Sequence, residues 1–219
     1  MDISFIIITV LIFLFFYIGN KKNKTVFFTS LLWILIVSLL SISGFFLNTE
    51  AMPPRFIVVF AGNIIFVAYL LKTLKSNSQD NRYSLLIHIL RIPIEIILYQ
   101  LFLAKEVPVI MTYHGWNYDI LIGVSAILLI IYLFFFKRNL PKYVLLIWNY
   151  IGLLFLINIV IIAILSAPLP VQQFAFDQPN LAVIKFPYIL LPAFIVPVVF
   201  LTHILAIKKL SSSYIFKHR

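Results

Sequence analysis

His88, Arg91, Glu95 and Tyr99 share one stripe of a segment that is otherwise rich in leucine and isoleucine. At about 100° per residue, Ser84, His88, Arg91, Glu95 and Tyr99 fall within a sector of roughly 80° on a helix. Arg91 could bind an anion or a carbonyl, and Glu95 could carry a proton or a cation. A charged pair at the middle of a bilayer is costly, so it must face protein or water, and it marks a functional site by default. Arg91 and Glu95 are four residues apart and can also neutralise each other. Pro93 lies between them. It removes its own N–H and displaces the carbonyl of Ile89 one turn back, which Arg91 or His88 would then satisfy. Two readings follow. In one, the stripe is the wall of a polar cavity. In the other, it is a self-satisfied ion pair that closes a proline kink. A bundle can be pinned more cheaply with Ser, Gly or Asn, which favours the cavity.

The elements that must position this stripe follow from composition. The 219-residue chain is 63% apolar and 11% charged, with a mean hydropathy of +1.09. Soluble domains carry about 25% charged residues. The chain therefore reads as an integral membrane protein, an all-α bundle with the lipid bilayer as its main partner. Continuous apolar runs that do not alternate exclude barrel strands. Seven segments of membrane-spanning character emerge at 3–18, 26–47, 56–74, 83–103, 118–136, 143–165 and 186–207. Together they form one seven-helix transmembrane domain spanning 1–219. The connections are too short for a separate soluble domain. Cysteine is absent, which excludes disulfides, iron–sulfur clusters and thiolate metal sites.

Orientation follows from charge. With the N-terminus outside, the inner side collects Lys21, Lys22, Lys24, Lys72, Lys75, Arg82, Lys137, Arg138, Lys142, Lys208, Lys209, Lys217 and Arg219. The outer side holds only Arg55, Lys105 and Lys185. This asymmetry places the N-terminus outside and the C-terminus in the cytoplasm, in a cell inner membrane. It also accounts for the net charge of +10 without a nucleic-acid partner. Asp2 precedes the first apolar run and lysines follow it, the reverse of a cleavable signal, so that segment reads as a retained helix.

The outer connections are longer and richer than the inner ones. The string from Met111 to Gly123, MTYHGWNYDILIG, is the most singular. Gly115 suggests a turn, Asn117 suits a helix N-cap, and Asp119 then sits in the first turn, where the helix dipole favours a negative charge. The functional reading has His114, Trp116 and Asp119 lining an outer vestibule that leads down to Glu95. Asn63, Asn149, Asn158 and His203 lie inside spans. Asn149 and Asn158 are about 180° apart and cannot both face one cavity. Single intramembrane asparagines usually bond between helices. His88 and His203 share a depth near the inner boundary and could ligate haem or a metal. No carboxylate or HxxxH spacing reinforces that, and interfacial packing or snorkelling is the simpler reading. Pro187, Pro192 and Pro197 make the last segment an irregular helix or a hinge, whose freed backbone groups need partners.

The motifs Arg91-x-Pro93-x-Glu95 and Met111-Thr112-x-x-Gly115-x-Asn117-x-Asp119-Ile120-Leu121-x-Gly123 resemble those of a group of small, uncharacterised bacterial multipass proteins. That resemblance implies no activity, but it treats the fourth span and its outer loop as one unit. Pro93-x-Glu95 is also similar to the Pro-x-Glu motifs of membrane lycopene cyclases. Here it occurs once and is followed by Ile96 rather than a second acid.

Taken together, these features suggest a protein that binds or moves a small solute or ion, as a transporter or sensor. Its site would be Arg91, Glu95, His88, Tyr99, His114, Trp116, Asn117 and Asp119. The alternatives are an intramembrane enzyme acting on an apolar lipid or isoprenoid, with Glu95 as the acid, and a structural protein without a ligand. A polar cavity reached from outside would support the first. A cavity open sideways to lipid would support the second.

Overall fold

The computed structural model describes residues 1–75, 79–136 and 141–215. Lys137, Arg138, Lys217 and Arg219, expected on the inner side, lie outside the described residues. The architecture is all-helical. The helices are α1 (Asp2–Gly19), α2 (Lys24–Ile42), α3 (Ile57–Thr73), α4 (Asn81–Ile89), α5 (Arg91–Leu103), α6 (Asp119–Phe136), α7 (Lys142–Ser166) and α8 (Val196–Ile215). Five stretches are long and apolar enough to cross a membrane: α1, α2, α4 with α5, α7, and Leu191–Ser211. Ile57–Thr73 and Asp119–Leu133 are apolar but shorter.

Local chemistry sets the ends. The Asn23 side chain accepts a hydrogen bond from Thr25 N at 2.8 Å and caps α2. Asp80 does the same for α4 through Arg82 N at 2.9 Å. The second segment, expected to run to Leu47, stops being α-helical at Ile42 and resumes as a short 3-10 turn over Phe45–Leu47. The fourth segment, expected as one kinked helix, is two helices that meet at Leu90. Pro93 sits in the first turn of α5, where a missing N–H costs least.

The last helix is the centre of the bundle. Ala193, Phe194, Ile195, Val198, Val199, Leu201 and Leu205 are all buried. It packs against α7, α3 and α4. Its start is a π-helical stretch over Leu191–Ile195. Pro197 has no N–H to give the Ala193 carbonyl, and in a π turn it also fails the Pro192 carbonyl. Both carbonyls are met from other helices. Trp33 Nε1 of α2 donates to Ala193 O at 2.7 Å, and Asn63 Nδ2 of α3 donates to Pro192 O at 2.9 Å. Trp33→Phe should therefore cost about 0.6–1.7 kcal/mol, the scale of an interhelical hydrogen bond in a membrane protein. The loss should shrink when Pro197→Ala restores a local donor, as read from unfolding in detergent. An equal loss in both backgrounds would refute this account.

At the end of the bundle that carries Leu103 and Ser166, the two long connections tie to each other. Glu106 O accepts from Leu181 N at 2.8 Å and Ala182 N at 3.0 Å. Gln178 Nε2 donates to Val107 O at 2.6 Å, and Lys185 pairs with Glu106 at 2.6 Å. The loop between α5 and α6 is thus a packed cap, with Val107, Met111, Thr112 and Asn117 buried.

Candidate functional site

Arg91 does not pair with Glu95. Its Nη2 makes an ion pair with Oδ1 of Asp119, and both side chains are buried. Glu95 is held by Asn117, whose Nδ2 donates to both carboxylate oxygens, at 2.8 and 2.7 Å, and to Met111 O at 3.0 Å. The spacing of four residues brought Arg91 and Glu95 to one face. The start of α6 then presents a better-placed acid and amide to that face, so each finds its partner across the interface.

The sequence between Met111 and Asp119 folds to make this possible. Gly115 N donates to Thr112 O at 2.8 Å, closing a turn. A Cβ at Gly115 would lie 2.4 Å from Val109 O and 2.5 Å from the Ile110 Cα, so only glycine allows the chain to cross there. The turn delivers Asn117, whose Oδ1 accepts from Asp119 N at 3.0 Å. One asparagine therefore starts α6 and fixes Glu95.

A second buried layer continues from Arg91. Its Nη1 lies 3.4 Å from Nε2 of His203, and His203 Nδ1 lies 2.9 Å from Asn149 Oδ1. A guanidinium can only donate, so Nε2 is the acceptor and the proton is assigned to Nδ1. His88 Nε2 lies 3.3 Å from the Thr202 hydroxyl, which itself donates to Val199 O at 2.7 Å, so His88 carries its proton on Nε2. The two imidazoles stack with centroids 4.2 Å apart, and Trp148 packs edge-on to His88. Both rings are fully buried, so neither snorkels to an interface as the sequence suggested. Stacking turns their faces, not their nitrogens, toward each other. Among the described residues, no group of three or more His, Cys, Asp or Glu side chains is placed to hold a metal.

Three of the expected site residues lie elsewhere. Tyr99 stacks on His114 at 4.9 Å, beside Tyr113, and His114 is exposed. Trp116 is also exposed and packs against Phe174. Neither His114 nor Trp116 lines the cavity that Glu95 lines. Asn158 anchors this loop by donating to Trp116 O at 2.8 Å. So Asn149 and Asn158, on opposite faces of α7, each bond to a different element.

The cavity also differs from the polar one expected. It has a volume of about 610 Å³ and lies between α3, α5, α7 and α8. Its walls are almost wholly aliphatic and aromatic, with Arg91, Glu95 and Asp119 as its charged lining. Exposed lining residues mark its mouth, at the middle of α3 and in the second half of α7. Ile64 and Ile161 line it and are 70% and 50% exposed. Sequence reasoning missed these walls, and it missed Trp33, Trp148 and Thr202. The prolines of the last segment were the available signal for Trp33, because their orphaned carbonyls required donors from neighbouring spans.

No curated protein and no solved structure matches the chain. A family model described as a domain of unknown function, DUF8737, matches residues 53–211, a stretch that holds α3 to α7, most of α8 and every charged residue of the cavity. The chain belongs to that family of domains of unknown function.

Proposed function

We propose that this is a multipass inner-membrane protein, N-terminus outside and C-terminus in the cytoplasm, that takes an apolar, chain-like molecule of the lipid or isoprenoid class from the bilayer. The molecule enters between α3 and α7 and rests with its polar end at Arg91, Glu95 and Asp119. The observation that carries this reading is the cavity itself: apolar walls, three charged side chains in its lining, and exposed isoleucines of two apolar helices at its mouth. Pockets of about 300–1,000 Å³ suit one ligand of drug-like size. A mouth lined by exposed isoleucines of two apolar helices faces hydrocarbon, where apolar molecules reside and water-soluble solutes do not. Glu95 is the side chain placed to exchange a proton with the polar end, the acid/base role that an intramembrane enzyme would use.

A plug at the mouth tests the reading. Ile64→Trp and Ile161→Trp enlarge side chains that are already exposed, so the fold should tolerate them. Native mass spectrometry of the detergent-solubilised protein should show one added molecule of farnesene, a fifteen-carbon isoprenoid hydrocarbon, on the native chain. The plugged variant should lose that adduct at unchanged thermal stability. A native chain that takes up neither farnesene nor its alcohol farnesol would refute the proposal.

A further inference from the structure

The charged end of the cavity carries more information than its presence. Arg91 Nη2 is ion-paired with Asp119 and Nη1 lies 3.4 Å from His203 Nε2, and its buried Nε–H has no hydrogen-bond partner among the described residues. Glu95 receives both of its contacts from one amide nitrogen, Asn117 Nδ2, and a carboxylate has room for about four. Arg91 and Glu95 line the same cavity one helical turn apart. The ligand end that completes this pair must therefore accept a hydrogen bond from a guanidinium and also answer a carboxyl group.

Charge narrows the choice. The site sets one guanidinium against two carboxyl groups, and the guanidinium is already paired with Asp119. A phosphate end would meet no net positive charge and would lie beside Asp119 and Glu95 in a low-dielectric interior, where like charges repel strongly. An ammonium end could donate to Glu95 but could accept nothing from the Arg91 Nε–H. A carbonyl end could accept from Arg91 but could donate nothing to an ionised Glu95. A hydroxyl does both. It accepts from Arg91, donates to Glu95 as a carboxylate, and accepts from Glu95 as a carboxylic acid, so it fits in either protonation state. A cavity of about 610 Å³ suits one chain rather than two.

We propose that the molecule held in the cavity is a single-chain alcohol, of isoprenoid or long-alkyl type, whose hydroxyl lies between Arg91 and Glu95. This rests on the reading of the cavity as a ligand site. The test compares four probes with one skeleton on the detergent-solubilised full chain: farnesol, farnesene, farnesylamine and farnesyl phosphate, each titrated by native mass spectrometry. Farnesol should bind about tenfold or more tightly than each of the others, the scale of one hydrogen bond to a charged group. Glu95→Leu should abolish the preference for farnesol over farnesene while farnesene binding persists. Farnesene binding as tightly as farnesol would overturn the alcohol assignment and leave the cavity reading intact. Tighter binding of the amine or the phosphate would also overturn it. Failure of all four probes would refute the cavity reading itself. If Glu95→Leu does not fold, the probe ranking on the native chain decides alone.

Discussion

Replacing Asp119 with asparagine is expected to destabilise the protein by about 3–5 kcal/mol, the scale of breaking a buried ion pair from one side. Glu95→Gln should cost less. The difference arises because Asp119 is the partner of Arg91, whereas Glu95 is held by a neutral amide that a glutamine oxygen can still accept from. The Asp119 change leaves a guanidinium uncompensated among buried apolar side chains. It also removes a negative charge from the first turn of α6, where the helix dipole favours one. The double variant Arg91→Met with Asp119→Leu should recover most of the loss, because two apolar residues need no pairing. Unfolding midpoints in detergent decide the matter. Equal damage from Glu95→Gln and Asp119→Asn, or no recovery in the double variant, would contradict the pairing.

Gly152→Ala is expected to cost about 1–3 kcal/mol, the penalty of overpacking a filled interior. A Cβ there would lie 2.4 Å from His203 Cε1 and 2.7 Å from Nε2. That ring cannot swing away. Asn149 and Arg91 hold its two nitrogens, and His88 covers one face. Coupling exposes the cause: the same alanine should cost less in a His203→Ala background, where the ring is gone. Strictly additive losses would show that the imidazole is not what the methyl group meets.

Much of the scaffold was legible from the chain. Long apolar runs mark helices because every backbone group must be satisfied within its own segment. The stripe of His88, Arg91 and Glu95 was legible because helical periodicity brings those positions to one face, and all three are buried. Their partners were not legible. Spacing of four says that Arg91 and Glu95 can touch, but not that a competitor from α6 sits closer. That competitor was visible only as Asn117-x-Asp119 after a glycine turn, where an N-cap and a first-turn acid explained both residues without reference to Arg91. The pairing of His88 with His203 was half-visible as a shared depth. The stacked geometry depends on how α4, α7 and α8 cross. The cavity was invisible for the same reason: its walls are ordinary Val, Ile and Leu, and the gap depends on how α3, α5, α7 and α8 pack.

The π stretch at Leu191–Ile195 sets the clock-face of everything below it. A π turn holds one more residue than an α turn, so each later side chain arrives about 100° later around the axis than in an uninterrupted helix. Thr202 and His203 lie below that point and inherit the offset. Their meeting with His88, Arg91 and Asn149 is thus a matter of phase, fixed some ten residues away by two prolines and the Trp33 and Asn63 donors that stabilise the wide turn. Excising a single residue from that stretch would let the helix close up as plain α. His203 would then be carried about a quarter-turn out of reach of Arg91, although no residue of the site had been changed.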